Sequence, residues 1–110
     1  MSTSNPVTML VGYYPKEGKE RELLSLIERH WPMLDRLGLV SKTPPQIWRA
    51  TDQRTKQGFF LELFEWRDEK ASEIAHQTPE VMAIWEPMGP LIDNLQLTRV
   101  EPVESPDADA

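Results

Sequence analysis

The spacing of hydrophobic and polar residues changes several times along the chain, and each change predicts a new element. Residues 7–14 are almost continuously apolar and rich in β-forming residues, which is typical of a strand covered on both faces. From residue 19 to about residue 37, apolar residues recur at helical spacing with charged residues on the opposite side, so this segment is predicted to be the longest helix. The apolar positions of that helix are Leu23, Leu24, Ile27, Trp31 and Leu34.

Pro32 falls inside this predicted helix. A proline in a helix interior removes a backbone hydrogen bond and clashes with the preceding turn. We therefore expect the helix either to kink near Glu28 or to break and start again at Pro32. Gly38 is a natural residue for the end of the helix.

The remainder of the chain alternates between short strands and short helices. Residues 46–51 and 59–66 are predicted strands, joined by a short polar link that favours a hairpin. Asp68 suits the N-cap of a short helix over residues 69–76, and Thr78 followed by Pro79 is typical of a second helix start. With a last strand over residues 94–100, the order is β-α-β-β-α-β. This order predicts an α+β, ferredoxin-like fold, in which a four-stranded antiparallel sheet carries its helices on one face.

The two ends of the chain differ in composition from its middle. Residues 1–6 are small and polar, so we expect a flexible N-terminus. Residues 101–110 are acidic, contain proline and have few large apolar groups, which predicts a disordered acidic tail. The folded domain is therefore predicted to span residues 7–100.

The third predicted strand is apolar on both of its faces. Because helices cover only one face of the sheet, the second face needs another cover, and a second copy of the chain supplies it. We therefore expect a two-fold homodimer formed through the sheet face. The two apolar sets alternate along the strand: Phe60, Phe64 and Trp66 on one face, and Phe59, Leu61 and Leu63 on the other.

Two acidic residues interrupt these apolar faces. Glu62 and Glu65 are expected either to lie at a strand edge or to pair across strands with Arg49 or Arg99.

Composition excludes several classes of function. The chain has 110 residues, a suitable length for one domain, and it has no cysteine, which excludes disulfides, thiolate metal sites and cysteine nucleophiles. Acidic residues outnumber basic ones 18 to 12, and the resulting net charge of −6 disfavours nucleic-acid binding. The apolar runs are too short to span a membrane, so we expect a cytoplasmic protein without a membrane partner.

The run FEWRDEKASEIAH resembles a pattern of the antibiotic-biosynthesis-monooxygenase-like proteins of the dimeric α+β barrel superfamily. In that pattern a strand ends in an acid and a tryptophan, and a helix that starts at an Asp or Ser ends at a histidine. The corresponding residues here are Glu65, Trp66, Asp68 and His76. The resemblance is clearest over residues 59–86, and the element order extends it to residues 7–100.

The resemblance implies a homodimer of two ferredoxin-like units, each with a pocket between sheet and helices. The superfamily includes cofactor-free oxygenases that act on quinol-like or polyketide aromatics, haem-degrading enzymes, and proteins with no known activity. The positions of the tryptophan and histidine of the haem-degrading pattern fall near Ala75 and Trp85 here, so no haem site is expected.

His76 is the candidate catalytic residue. Histidine changes charge near neutral pH, and an imidazole at the mouth of an apolar pocket can accept a proton from a phenol or hydroquinone. The alternative is that a histidine in the last turn of a helix only complements the negative end of the helix dipole. His30 lies near a helix irregularity and could approach His76, but two histidines without placed carboxylates do not make a metal site. No metal is therefore predicted.

Aromatic and methionine side chains supply candidate walls for a pocket that holds a planar ligand. The alternative for the tryptophans is packing in the core or in the dimer interface. Tyr13 and Tyr14 end the first strand on opposite faces, so one of them is a candidate to offer its hydroxyl to a ligand, and a role in the dimer interface is the equal alternative. The candidate ligand-binding residues are Trp66, Trp85, Tyr14, Trp31, Met82 and Phe64.

Two classes of function remain. The first is a monooxygenase-like protein that acts on a small aromatic or quinol-type compound and needs no cofactor, because the substrate itself activates oxygen. The second is a non-catalytic dimeric protein that binds an apolar small molecule or has a structural role.

Overall fold

A four-stranded antiparallel sheet with helices forms the fold, as the sequence predicts. The computed structural model describes residues 5–103, so the predicted flexible N-terminus and acidic tail lie largely outside the described residues. The strands lie in the order β2-β3-β1-β4, which is the ferredoxin-like arrangement. The elements are β1 (Val7–Pro15), α1 (Glu20–Arg36), β2 (Gln46–Thr51), β3 (Gly58–Trp66), α2 (Ala71–His76), α3 (Pro79–Met88), a 3-10 turn (Gly89–Leu91) and β4 (Ile92–Val100).

The two central strands, β1 and β3, give the sheet one buried face. Along β3, every second residue is buried and the residues between them are half-buried. Opposite pairs such as Tyr13 with Phe60, and Val11 with Glu62, fix which side chains of β1 share that buried face. The helices pack on this face and complete the core, and we call it the inner face. The buried residues of β3 are Phe60, Glu62, Phe64 and Trp66.

Helix α1 runs through Pro32 as one continuous element. The expected alternative of a break and restart at Pro32 is therefore wrong. Ile27 and Leu34, which lie on either side of the proline, are both fully buried. Packing of Ile27 and Leu34 in the core stabilises the helix on both sides of Pro32, where a backbone hydrogen bond is missing.

The short helix α2 starts at Ala71, two residues later than predicted. Asp68 still caps this turn, because its Oδ1 atom accepts hydrogen bonds of 3.0 Å from the backbone N–H groups of Lys70 and Ala71. Arg67 Nε–H donates to the other carboxylate oxygen of Asp68 at 2.9 Å. This hydrogen bond lowers the pKa of Asp68 below its ordinary value. Within residues 5–103, no helix has the length and apolar character needed to cross a membrane.

The two strand acids do not lie where the sequence suggested. Glu62 is fully buried in the central strand β3, whereas Glu65 accepts a hydrogen bond of 2.7 Å from the Ser41 hydroxyl. The arginines proposed as partners have other contacts. Arg49 lies over the Phe60 ring, 5.2 Å from its centroid, and Arg99 pairs with Glu69 at 3.0 Å.

Candidate functional site

A cavity of about 270 Å³ lies between the inner face of the sheet and the helices. Its wall is mostly apolar, and the side chains in it that carry a hydroxyl or imidazole are Tyr13, His30, Ser72 and His76. The edge strand β4 contributes Leu95 and Leu97, which are 42% and 63% exposed. The cavity therefore opens toward solvent beside β4.

Four of the residues predicted as site residues belong to this wall. They are His76, Trp66, Trp85 and Phe64. Phe64 and Trp66 reach it because they share the inner face of β3, whereas His76 and Trp85 reach it from α2 and α3.

Three other predicted ligand-binding residues lie elsewhere. Tyr14 is on the opposite face of the sheet, where its ring stacks on Phe59 with centroids 4.6 Å apart and planes 12° apart. Trp31 and Met82 are half-buried on α1 and α3 and are not part of the cavity wall formed by residues 5–103. The tyrosine in the wall is Tyr13. Successive residues of β1 point to opposite faces of the sheet, and Tyr13 is on the face that carries the helices.

Aromatic rings follow one another along the cavity wall from Trp66 to His76. Trp66 meets Phe64 edge to face with centroids 5.0 Å apart, and Phe64 meets His30 in the same way at 5.5 Å. Trp85 then contacts both histidines, with its centroid 5.7 Å from that of His30 and 4.7 Å from that of His76. The wall therefore offers π-faces and edges to a planar ligand, with an imidazole at two places.

Tyr13 and His30 of this wall form a buried polar cluster with Glu62, which we call the buried triad. The Tyr13 hydroxyl donates to Glu62 Oε1 at 2.6 Å. His30 Nδ1 lies 3.1 Å and 3.2 Å from the two carboxylate oxygens of Glu62. Glu62 is fully buried and His30 is 3% exposed. The triad therefore places a carboxylate and an imidazole in hydrogen-bond contact with little access to water.

The hydrogen bonds of the triad decide which atoms carry protons. Burial and the neighbouring Glu62 carboxylate raise the pKa of Tyr13 well above its ordinary value of 10.0. Tyr13 therefore keeps its proton and donates a hydrogen bond to Glu62. A carboxylate in its ionised form only accepts hydrogen bonds, so its contact with His30 Nδ1 requires the tautomer that carries the proton on that nitrogen. The other ring nitrogen, His30 Nε2, is buried and has no hydrogen-bond partner among residues 5–103.

The triad is not predicted from the sequence: Tyr13 is named there only as one of two possible tyrosines, and neither Glu62 nor His30 is named as a site residue, although helical spacing contains a signal for His30. The buried stripe of α1 is Leu23, Leu26, Ile27, His30 and Leu34. His30 lies three residues after Ile27 and four before Leu34, so helical spacing alone places it on the stripe. The neighbouring Trp31, which the sequence analysis assigned to the stripe, lies at its margin and is only half-buried.

His76 has a different environment from His30. It is exposed, at the last position of α2, and its Nδ1 donates to the Ser72 backbone carbonyl at 2.7 Å. No carboxylate pairs with it within the part of the chain that the structure describes. His76 is therefore a solvent-facing imidazole at the mouth of the cavity.

Comparison with known proteins supports the fold. No family profile matches the sequence, and no curated protein sequence is significantly similar to it. The fold resembles that of Rv0793 from Mycobacterium tuberculosis, with a TM-score of 0.69 at 13% identity over 93% of this chain and 99% of that one. SnoaB, a cofactor-independent oxygenase from Streptomyces nogalater, gives 0.67 at 13% identity over 94% and 98%. A solved antibiotic biosynthesis monooxygenase gives 0.66 at 14% identity over 89% and 99%.

These likenesses confirm the resemblance seen in the sequence. The chain has the same fold as SnoaB and the solved antibiotic biosynthesis monooxygenase. At these levels of identity the likeness concerns the fold, so the activity has to be argued from the cavity itself.

Proposed function

We propose that the cavity binds a small planar aromatic compound with a ring hydroxyl, of the phenol or quinol type, and that the protein is a monooxygenase-like enzyme without a metal or flavin. The observation that carries this proposal is the wall itself, in which two imidazoles lie within a run of aromatic rings. The aromatic rings hold a planar ligand, and an imidazole takes a proton from its hydroxyl. The likeness in fold to a cofactor-independent oxygenase supports the same reaction class.

The proposed reaction needs an electron-rich substrate. In a monooxygenation without cofactor, one oxygen atom enters the substrate and the other leaves as water, and the substrate supplies all the electrons. Loss of the hydroxyl proton places negative charge on the ring and makes it a better electron donor to O₂. A proton acceptor beside a desolvated ring is therefore the main contribution required from the protein.

The wall residues divide into two roles under this proposal. Phe64, Trp66 and Trp85 contact the faces and edges of the ligand ring. His76 and His30 are the candidate proton acceptors, with His76 at the mouth and His30 behind Trp85. Tyr14, Trp31 and Met82 have no role in ligand contact, because they lie away from the cavity.

We also propose that the protein is a homodimer formed through the outer face of the sheet. This face carries half-buried apolar residues that no helix in residues 5–103 covers, because the helices pack on the inner face. Trp48 is 43% exposed and lies opposite Leu61, so it extends the same patch. The patch consists of Leu10, Trp48, Phe59, Leu61 and Leu63, and an apolar patch of this kind is typical of a subunit interface.

A non-catalytic binding protein is the second candidate. It is favoured by the scarcity of polar groups in the cavity wall, where four side chains among residues 5–103 carry a hydroxyl or imidazole. Under this alternative the same aromatic ligand binds, but it leaves unchanged. The two candidates therefore differ in turnover and agree on binding.

Oxygen uptake separates them. The wild-type protein is incubated with a panel of hydroquinones and polycyclic phenols, and O₂ consumption is measured alongside His76→Gln, His30→Gln and Trp85→Leu variants. The enzyme proposal predicts uptake that saturates with one substrate class and falls in Trp85→Leu and in at least one histidine variant. Saturable binding without uptake by any compound would favour the binding protein.

A further inference from the structure

We propose that His30, through Nε2, is the group that takes the proton of the ligand hydroxyl, and that Glu62 and Tyr13 are positioning residues for it. The inference rests on the proposed function, because it requires a hydroxylated aromatic ligand in the cavity. It assigns the acid–base step to a buried residue of the wall, on α1. His76, at the mouth, is left with ligand contact.

The geometry of the triad gives His30 the right protonation for an acceptor. Tyr13 donates a hydrogen bond to Glu62, and Glu62 accepts a second hydrogen bond from Nδ1–H of His30, at the distances given above. Neutral imidazole carries one proton, so Nε2 has a free lone pair. An unpaired polar atom in a buried apolar setting costs free energy until a partner arrives. A ligand O–H supplies that partner.

The triad also stabilises the charge that the transfer creates. The ligand O–H bond breaks, its electron pair stays on the oxygen, and the proton moves to Nε2. His30 then carries a positive charge 3.1 Å from the Glu62 carboxylate, and attraction at that distance is strong where water is excluded. His76 contacts a neutral backbone carbonyl instead, so it has no comparable counter-charge among the described residues.

Access to Nε2 depends on Trp85. The indole contacts the His30 ring and is itself only half-buried, on the cavity side of α3. The proposal requires a ligand ring to displace this indole, so that the ligand hydroxyl approaches the His30 ring. Trp85 therefore separates the mouth, where His76 lies, from the buried imidazole.

Ionisation of a bound probe tests the assignment separately from binding. We would titrate the protein with 4-nitrophenol, whose absorbance reports its ionised form, at a pH where the free phenol is mostly protonated. Wild type is expected to bind the probe and to hold it ionised. His30→Gln is expected to bind it in the protonated form, whereas His76→Gln is expected to bind it more weakly but still ionised. Tyr13→Phe is expected to reduce the ionised fraction of the bound probe, because Glu62 loses one of the hydrogen bonds that position it.

A second measurement does not depend on a buried substitution. The chain has two histidines, so His76→Gln leaves one imidazole, and its nitrogen resonances in ¹⁵N NMR belong to His30. The proposal predicts a proton on Nδ1 and none on Nε2 in the free protein, with protonation of Nε2 when the probe binds. This result decides the question if His30→Gln does not fold.

The outcomes distinguish the inference from the function on which it rests. If neither 4-nitrophenol nor the larger phenols bind, the proposed ligand class fails and the inference fails with it. If the probe binds but is ionised equally in His30→Gln, or loses its ionisation only in His76→Gln, the cavity stands and the role of His30 is overturned. A free protein with its His30 proton on Nε2 would overturn it as well.

Discussion

Tyr13 donates its hydroxyl hydrogen to Glu62 at 2.6 Å, although 49 positions separate the two residues in the chain. The contact exists because β1 and β3 are adjacent and antiparallel, with Tyr13 opposite Phe60 and Val11 opposite Glu62. It gives a fully buried carboxylate one of its hydrogen bonds, and His30 gives it another. A buried carboxylate that loses a donor becomes costly, so substitutions in the triad have predictable consequences.

Replacing Tyr13 by phenylalanine is expected to destabilise the protein. The ring still fills its place in the core, but Glu62 loses a donor, and such a loss costs roughly 1–3 kcal/mol. Urea unfolding followed by circular dichroism measures the change. Tyr14→Phe is the matched control, because the Tyr14 hydroxyl makes only a long, exposed contact of 3.4 Å with Gln96. Equal effects of the two substitutions would contradict the hydrogen-bonding scheme.

The same hydrogen bond predicts a loss of stability at alkaline pH. The pKa of Tyr13 is raised in the folded protein above its ordinary value of 10.0, first by burial and then by Glu62. When the pH exceeds the ordinary value, the unfolded chain releases the tyrosine proton while the folded chain keeps it. The free energy of unfolding therefore falls as pH rises. Unfolding midpoints measured from about pH 8 to about pH 11 should therefore decline more steeply in wild type than in Tyr13→Phe. Parallel declines would show that Tyr13 ionises equally easily in both states.

The triad as a whole is expected to contribute less to stability than its single contacts suggest. Glu62→Leu alone leaves His30 and Tyr13 without their acceptor, and breaking a buried pair in this way costs roughly 3–5 kcal/mol. The triple variant Tyr13→Phe, His30→Leu, Glu62→Leu removes every polar member and should recover most of that loss.

Thermal unfolding of the single and triple variants tests this expectation, with ionisation of bound 4-nitrophenol as the functional readout. A stable triple variant that no longer ionises the probe indicates that the triad serves the ligand. A triple variant less stable than Glu62→Leu would mean that the triad is primarily structural.

Charged residues on the outer face of the sheet are expected to dissociate the proposed dimer. Leu61→Lys places a charge at the centre of the patch formed with Leu63 and Trp48, where burying it against a second copy is unfavourable. Sedimentation velocity at micromolar concentration should show a dimer for wild type and a monomer for the variant. Ile74→Lys is the control, because Ile74 is 43% exposed on α2, away from this face. A monomeric wild type would contradict the dimer.

The sequence was sufficient to predict the fold, because the periodicity of hydrophobic residues and the turn-forming residues both act over short stretches of chain. The Gln46–Thr51 strand has its predicted bounds, and α3 begins at Pro79 after Thr78 as expected. The triad was harder to predict because it joins three elements and depends on both strand register and helix phase. In the sequence Glu62 only interrupts an apolar face, whereas in the structure β1 and α1 pack against it and supply its hydrogen-bond donors. A buried acid becomes plausible only when its donors are known.

The candidate site could be predicted only in part for the same reason. Phe64 and Trp66 followed from the alternation of β3, and His76 from the end of a helix. The pattern of β1 alone could not decide between Tyr13 and Tyr14. That strand is apolar on both faces, so the sequence does not show which face carries the helices. Pairing with β3 fixes the phase and places Tyr13 at the cavity.

The most direct test of the account is a titration of intrinsic tryptophan fluorescence with hydroxylated aromatics in wild type and two serine variants. Ser72 lies in the cavity wall and Ser25 on the exposed side of α1, so Ser72→Phe obstructs the cavity while Ser25→Phe adds the same ring elsewhere. The account predicts saturable quenching in wild type and Ser25→Phe, with affinity reduced at least tenfold, about 1.4 kcal/mol, in Ser72→Phe. Absence of saturable quenching in wild type, or equal affinity in both variants, would contradict an aromatic-binding cavity at this site.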